Sequence, residues 1–427
     1  MKKQMHEPGT GTGGDRPGEP QEREWTFMVY LAGDNNLEDY GRADLMEMKQ
    51  VGSTPQVALV AQFDRMHDGE TKRYYLTQGS DLERDDVQAN LGETNTGDPR
   101  ELARFLIWAL ETYPAKRYAL VLWNHGTGWK EDDIYRLAER RGLRPTERRR
   151  FLEGLIAQVA GRGSRPPLFA TTLETILARG IAYDDTDRDF LDNAEMERAI
   201  GTALLATGVE QLALLGFDAC LMSMIEVVYQ VRGLTEYVVA SQENEPAEGW
   251  PYERVLEKLV TQPTMQAESL AAHIVESFAV SYGPEEILTQ AALDLSLVRE
   301  VTLALSELCR YILEHDQDCV LALGRAARKA QRYADPDYKD LYDFCSLLAE
   351  RQELPELSAR ARAVMDLLAP PGPGRLVRAE VHRGSRVARS HGISIYFPSY
   401  AISPFYGGLR FAQESLWDDM LLRMLGF

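Results

Sequence analysis

The sequence predicts an α/β protein built on a mostly parallel sheet. Short apolar runs alternate with amphipathic helical patterns over much of the chain, and this alternation is typical of a parallel sheet covered by helices. Two of these runs stop abruptly at a reactive side chain, the first at His125 and the second at Cys220. Because parallel strands end at the same edge of a sheet, we expect the imidazole and the thiol to lie together there.

The length and composition limit the classes of protein to which this chain can belong. A chain of 427 residues is long enough for two or three subdomains, and a net charge of −19 argues against a nucleic-acid binder or a partner at an anionic membrane surface. No apolar run reaches the roughly 18 residues of a membrane span. Only four cysteines occur and none forms a CxxC pair, so a thiolate zinc site is not expected. With no apolar signal sequence at the start, we expect a cytoplasmic protein.

The first strands and helices follow in order. Residues 1–24 are rich in glycine, proline and charge and are expected to be disordered. The first strand covers 25–32 and ends in the turn 33–36, which can also cap a helix beginning near Leu37. Strands are predicted at 57–63 and 72–77. A helix then begins with Asp98 as N-cap and Pro99 in its first turn, and leads to the strand that ends before His125.

A polar insertion at 131–178 interrupts this pattern. It contains arginines at 141, 144, 148, 149 and 150 and a glycine- and proline-rich stretch at 161–167. A surface insertion and a functional segment both fit this composition, but insertions of this length are more often functional than idle.

The second half is predicted to hold fewer strands. A helix at 193–205 precedes the strand that ends at Cys220, a helix at 221–230 follows it, and a further strand covers 237–240. The region 253–368 reads as mostly helical. Two final strands, at 375–382 and 392–397, are expected to pair antiparallel before a short terminal helix.

Cys220 is a candidate nucleophile because it lies at a predicted junction between a strand and a helix. A helix N-terminus and a nearby imidazole both favour the thiolate. The alternative is a simply buried cysteine, since free cysteines are among the most buried residues.

His125 is followed by Gly126, where the absence of a side chain lets a substrate carbonyl approach the backbone. The amides of Gly126 and Cys220 could then form an oxyanion hole. A hydrogen-bonded structural histidine is the alternative. Two strands that end in complementary partners favour a Cys–His dyad over both structural alternatives.

Several motifs resemble the clostripain family of cysteine peptidases, which are relatives of caspases, gingipains and legumain. They occur in the family's order over residues 25–260, with a weaker match at 392–398. The motifs are FMVYLAGDNNL at 27–37, WNHG at 123–126, YDD at 183–185, FDACLM at 217–222 and EPAEGWPY at 245–252.

The resemblance implies a caspase-like three-layer α/β/α sandwich with a mostly parallel central sheet, plus a helical subdomain. It implies a disordered segment at 1–24, followed by a peptidase core at 25–262 in which 131–178 is an activation linker. A helical subdomain is expected at 263–372. C-terminal strands and a helix at 373–427 are expected to pack back on the core. Cys220 would attack the scissile carbonyl as thiolate, and His125 would serve as general acid and then base.

The resemblance also implies a substrate class. Family members prefer arginine or lysine on the acyl side of the cleaved bond, and acidic residues line the S1 pocket that binds this side chain. Asp218 and Glu248 match those positions, with glutamate where the family more often has aspartate. The alternative for Asp218 is a cap on the following helix.

Zymogen processing is a further implication, because family members are commonly cleaved between the histidine and the cysteine at a basic site. Arg148, Arg149 and Arg150 form the candidate processing site, cut by the enzyme itself or by an upstream peptidase. No cofactor is expected to be required, although calcium helps some members and the pair Asp184 and Asp185 hints weakly at a site. We expect a monomer that acts on protein or peptide substrates with basic residues.

Two other functions are alternatives to a cysteine peptidase. A catalytically silent caspase-like module that binds a partner through the same groove is the main alternative, but such a protein would usually have lost the cysteine or the histidine. A nucleotide-binding protein is not supported, because no glycine-rich phosphate loop follows the first strand.

Overall fold

A computed structural model describes residues 22–124, Gly126, Gly128, 191–403 and 405–425. Within them, a nine-stranded sheet has the order β10-β8-β7-β6-β5-β1-β2-β3-β4, and β9 and β11 form a small separate pair. The strands are β1 (Arg23–Gly33), β2 (Val57–Arg65), β3 (Glu70–Tyr75), β4 (Val87–Asn90), β5 (Ala115–Trp123), β6 (Leu212–Asp218), β7 (Thr235–Ala240), β8 (Leu288–Asp294), β9 (Tyr338–Asp340), β10 (Val377–Arg383) and β11 (Ser394–Tyr396).

The five central strands, β7, β6, β5, β1 and β2, run parallel to their neighbours, and the strands outside them pair antiparallel. Side chains of β1 alternate between the two faces: Met28 and Tyr30 enter one core, while Phe27 and Val29 enter the other. This period of two places a buried layer on each side of the sheet. The three-layer sandwich with a mostly parallel centre is confirmed.

Helices cover both faces. The described ones are α1 (Glu38–Val51), α2 (Pro99–Thr112), α3 (Asn193–Thr207), α4 (Ile225–Gln230), α5 (Tyr252–Thr261), α6 (Ala267–Ser281), α7 (Val298–Glu314), α8 (Asp316–Lys329), α9 (Leu341–Ala349), α10 (Pro355–Leu368), α11 (Arg410–Glu414) and α12 (Trp417–Met424). Helices α1, α5 and α6 supply one core, and most of the others supply the second. Across this part of the chain, none of the helices has the length and hydrophobicity needed to cross a membrane.

Local signals explain the best-predicted helices. Asp98 caps α2 by accepting a hydrogen bond from the Arg100 amide, as predicted, and Asp192 and Glu195 form a capping box at the start of α3. The turn before α1 was predicted less well. Its N-cap is Leu37, which makes no side-chain cap. Asn35 Oδ1 accepts a hydrogen bond from the Leu37 amide, just before the helix begins.

The C-terminal half departs from the sequence prediction. β8 lies inside the region expected to be a helical subdomain, and it joins the central sheet between β7 and β10. The later helices share one continuous hydrophobic core with the sheet instead of forming their own. The expected pairing of the last two strands is also wrong, since β10 pairs with β8 and β11 pairs with β9.

The N-terminal boundary also moves slightly. β1 begins at Arg23, inside the range expected to be disordered, and residues 1–21 lie outside the described part of the chain. The backbone of Glu24 and Trp25 donates to the Gln56 carbonyl, which ties this end of β1 to the start of β2.

Candidate active site

The two strands that end near the reactive residues are neighbours. β5 pairs with β6 in parallel, with Trp123 opposite Asp218, and the Asn124 amide donates to the Asp218 carbonyl at 3.3 Å. From Tyr118 to Trp123 in β5 and from Leu212 to Phe217 in β6, the strands are apolar and buried on both faces, as parallel central strands require. The carboxyl ends of β5 and β6 therefore meet at one sheet edge, as the sequence predicted.

His125 lies outside the described residues, as does Thr127. Its two neighbours in the chain are described. Asn124 Nδ2 donates to the Ala32 carbonyl at 2.9 Å, which ties this segment to the end of β1. Gly126 lies against the backbone of Cys220.

The contact between Gly126 and Cys220 leaves no room for a side chain. A Cβ atom added to Gly126 would lie 2.2 Å from the Cys220 carbonyl oxygen and 2.9 Å from its amide nitrogen. Only glycine permits this approach. The two residues expected to form the oxyanion hole are thus adjacent at the sheet edge.

The segment after Cys220 is not the predicted helix. Leu221 has φ 64°, and α4 begins only at Ile225. The Leu221 amide instead donates to the Glu243 carbonyl at 3.2 Å and the Ser223 amide to the Ser241 carbonyl at 2.8 Å. These bonds to the segment after β7 compete with helical ones, so a helix dipole at Cys220 is not available. The helix-cap alternative for Asp218 is also wrong, because its carboxylate bonds elsewhere.

The Cys220 sulfur is held by backbone amides. The Glu245 amide donates to Sγ at 3.3 Å, and a hydrogen bond from the Gly126 backbone lowers the pKa of the thiol. Burial outweighs these effects, and with the nearby Glu245 carboxyl it raises the pKa of Cys220 to about 12. The sulfur in this structure is therefore a protonated thiol, although the Cys220 side chain is partly exposed.

Asp218 lies two residues before Cys220 in the chain and is 4% exposed. Its Oδ2 accepts hydrogen bonds from the Trp250 amide at 3.2 Å and from the Tyr252 hydroxyl at 2.9 Å. Gly249, with φ 61°, lies over the carboxylate so closely that a Cβ there would be 2.8 Å from Oδ1. Glu248, the other residue expected in the S1 pocket, is exposed on the turn that covers Asp218.

Two acidic residues near Asp218 were missed by the sequence reasoning. Trp123 Nε1 donates to Asp44 Oδ2 at 2.6 Å, and burial together with the Asp218 charge raises the pKa of Asp44 to about 9. Burial also raises the pKa of Glu245 well above its ordinary value, and the Asp218 charge raises it further. A signal for Asp44 existed: it lies on the apolar face of α1 with Leu45 and Met48.

The remaining predicted residues cannot be placed. Arg148, Arg149 and Arg150, the linker 131–178 and the pair Asp184 and Asp185 all lie outside the described residues. Elsewhere, carboxylate oxygens of Asp34, Asp64 and Glu93 come within 4.8 Å of one another. Oxygen ligands of this kind suit calcium or magnesium, so these three side chains could hold a divalent cation.

The comparison with known proteins identifies the family. The sequence profile of the clostripain family matches residues 29–142 and 170–421. The chain belongs to the clostripain family. The resemblance found in the motifs is confirmed, and the clostripain profile extends well beyond residues 25–260, through the helices that follow.

Relatives of known sequence or structure agree. Clostripain from Hathewaya histolytica is 26% identical over 259 residues, which span 55% of this chain and 42% of that protein, less than half of its length. A secreted C11 cysteine protease from Bacteroides thetaiotaomicron, solved with an irreversible peptide inhibitor, shares the fold with a TM-score of 0.61 at 18% identity, over 95% of this chain and 99% of that chain. An inactive zymogen C11 protease from Parabacteroides distasonis gives a TM-score of 0.65 at 21% identity, over 93% and 99%.

Proposed function

We propose that this clostripain-family protein is a cysteine endopeptidase that cleaves after basic residues, arginine in preference to lysine. The observation that carries the proposal is the approach of Gly126 to the Cys220 backbone at the shared end of β5 and β6. It places Gly126, the residue after His125 in the chain, against Cys220, which is the one partly exposed thiol among the four free cysteines. Family membership supports the same chemistry.

The proposed mechanism begins with transfer of the thiol proton from Cys220 to His125. The thiolate sulfur attacks the scissile carbonyl carbon, and the carbonyl oxygen becomes an oxyanion that accepts hydrogen bonds from the Gly126 and Cys220 amides. The C–N bond then breaks, and His125 gives its proton to the departing amine. Water, deprotonated by His125, attacks the thioester, which releases the acid and restores the thiol.

Asp218 supports the proposed preference for a basic side chain. It is the last residue of β6, two residues before Cys220, and it lies among other acidic groups. A cationic side chain bound beside it would regain the ionic hydrogen bonds that it loses on leaving water. We assign Glu248 to the entrance of this site, because its exposed carboxylate can attract a cation.

We further propose that the intact chain is a zymogen. The raised pKa of the Cys220 thiol suits an enzyme that awaits processing. Cleavage within 131–178, at Arg148, Arg149 or Arg150, would match the proposed specificity. Processing by an upstream peptidase remains the other route. Calcium is not assigned a role in catalysis.

Location and assembly are also proposals. All four cysteines are free thiols, which suits a reducing compartment such as the cytoplasm, and a monomer would suffice because the proposed machinery lies in one chain. Cell fractionation and light scattering of the purified protein test these two points directly.

Hydrolysis of fluorogenic peptides tests the proposed activity. The processed wild-type protein should cleave peptides ending in arginine or lysine aminomethylcoumarin, and should spare the matching aspartate and leucine peptides. Cys220→Ala should abolish hydrolysis, while Cys319→Ala, which changes a buried thiol elsewhere, should not. A protein that binds such peptides with Cys220 intact and never cleaves them would instead be a silent binding module.

A further inference from the structure

The side chain of Glu245 lies in a buried polar cluster beside the Cys220 sulfur. Gln290 Nε2, from β8, donates to Glu245 Oε1 at 3.1 Å. The Asp218 carboxylate and the Trp250 indole are both close enough to Glu245 to alter its pKa. The backbone amide of the same residue donates to Cys220 Sγ at 3.3 Å, so Glu245 joins the thiol to this cluster.

Three polar atoms of the cluster are buried without a hydrogen-bond partner. Within the described chain these are Glu245 Oε2, Gln290 Oε1 and Trp250 Nε1. Buried polar atoms are satisfied in the great majority of cases, and each one left unpaired is costly. The indole N–H is a donor, but Glu245 Oε2 and Gln290 Oε1 are both acceptors, on two side chains that are hydrogen-bonded to each other. Next to a reactive thiol, these two acceptors point to a site for a missing hydrogen-bond donor.

The acidic residues in and beside the cluster indicate that the missing group is positively charged. Asp218, Asp44 and Glu245 all lie in or beside the cluster, and no basic side chain forms an ion pair with any of them among the described residues. A guanidinium offers five N–H donors in a planar fork, and here it would meet carboxylate and amide acceptors. An ammonium offers three donors from one point, so arginine uses more of the acceptors than lysine.

Glu245 is anchored more firmly than Glu248. Thr289 Oγ1, next to Gln290, accepts from the Gln242 amide at 3.0 Å and from the Glu243 amide at 2.9 Å, which fixes the start of the segment to β8. The turn that carries the exposed Glu248 is held at Gly249 instead. The Gly249 amide donates to the Pro246 carbonyl at 3.0 Å, and the Tyr282 hydroxyl donates to the Gly249 carbonyl at 2.5 Å.

We propose that Glu245 is a specificity-determining residue that, with Asp218 and Gln290, binds the cationic side chain of the substrate, while Glu248 lies at the rim of the same site. The proposal rests on the peptidase function proposed above. The turn 246–249 lies over Asp218 in this structure, so a substrate side chain can reach this carboxylate only if the turn moves. Glu245 then places its carboxylate on the guanidinium while its amide stays near the sulfur.

The test compares two substrates that differ in charge alone. Processed enzyme is assayed on peptides ending in arginine or in citrulline, whose neutral ureido group has nearly the shape of guanidinium. We expect Glu245→Gln to lower kcat/KM for the arginine peptide by about 10- to 100-fold, mainly through KM, because a charged hydrogen-bond partner is lost. The kcat/KM for the citrulline peptide should change little, so the ratio of arginine to citrulline cleavage should fall.

Three further variants make the result decisive. Glu245→Asp keeps the charge and should recover part of the arginine preference. Gln290→Leu should lower the arginine activity by a smaller factor, and it supplies the measurement if Glu245→Gln does not fold. Glu236→Gln, an exposed change at the start of β7, is the matched control and should leave the ratio unchanged.

Different results contradict different claims. An unchanged ratio of arginine to citrulline cleavage in folded Glu245→Gln would overturn the role of Glu245, even with wild-type activity intact. Wild-type protein that cleaves neither peptide after processing would overturn the peptidase function instead.

Discussion

The Cα atom of Gly126 lies so close to Cys220 that a side chain at position 126 would meet the Cys220 carbonyl oxygen at 2.2 Å. This contact joins the ends of β5 and β6 and positions the two amides that we assign to the oxyanion hole. The geometry of the site therefore depends on a glycine that makes no side-chain contact at all.

Gly126→Ala should damage catalysis more than it damages folding. The added methyl group must push the two backbone segments apart, which displaces one oxyanion donor and should lower kcat by about 100-fold or more. Overpacking of this kind costs about 1–3 kcal/mol of the free energy of unfolding. Gly283→Ala is the matched control, because a Cβ there meets open space. Equal kcat in the two variants would argue against the assigned oxyanion hole.

Cys220 should react slowly with iodoacetamide in the intact chain. Its pKa of about 12 leaves roughly a thousandfold less thiolate at neutral pH than an ordinary cysteine has. Mass spectrometry of the labelled protein measures the rate, and the buried Cys309 and Cys345 provide internal references. Labelling should accelerate once the linker is cleaved. An intact chain that labels at Cys220 as fast as free cysteine would contradict the raised pKa of the thiol.

The arginine run in the linker should control processing. Wild-type protein is expected to yield two fragments on storage, and Cys220→Ala should remain intact if the enzyme cuts itself. Replacing Arg148, Arg149 and Arg150 together by alanine should also prevent cleavage, whereas Arg141→Ala serves as the control. N-terminal sequencing of the second fragment identifies the cut bond. Fragmentation of Cys220→Ala by itself would point to an upstream peptidase.

Glu226 should make the fold less stable as pH rises. Its carboxyl is fully buried, and Oε1 accepts hydrogen bonds from the Tyr396 amide and the Tyr406 hydroxyl, each at 2.9 Å. Burial raises the pKa of Glu226 from 4.5 to about 7, so the folded protein holds a proton that the unfolded chain releases. The contribution of this group is fully favourable below pH 4.5 and is lost as pH rises through 7.

Thermal or urea unfolding of wild type and Glu226→Gln between pH 5 and pH 8 measures this effect. Wild type should lose about 3 kcal/mol more than the variant over that range, by the ordinary conversion of a pKa shift to free energy. Parallel curves for the two proteins would show that Glu226 titrates normally. Because Glu226 bonds to Tyr396 and Tyr406 and to none of the described residues assigned to the active site, peptide hydrolysis by the variant should stay near the wild-type rate.

The sequence predicted the centre of the sheet well because its signals there are local. The apolar runs of β1, β5 and β6 are continuous, and α2 carries an N-cap, a proline and an apolar face in one stretch. The adjacency of β5 and β6 followed from their complementary ends. These features depend on neighbouring residues, which a pattern can capture.

The features that the sequence did not predict depend on contacts between residues that are distant in the chain. The sequence LTQAALD of β8 is rich in helix formers, and only its place between β7 and β10 makes it a strand. Leu221–Met224 leaves the helix because its amides find carbonyls in the segment after β7. Glu245 was quoted within a motif, but its position beside Asp218 could be learned only from the folded chain.

The central claim is that Cys220 is the nucleophile and that His125 activates it. The most direct measurement uses an arginyl chloromethyl ketone peptide, followed by peptide mapping of the processed protein. The account predicts one equivalent of label, on the peptide that contains Cys220, with the labelling rate lowered at least about 100-fold in His125→Ala. Label on any other residue, or an equal rate without His125, would contradict it.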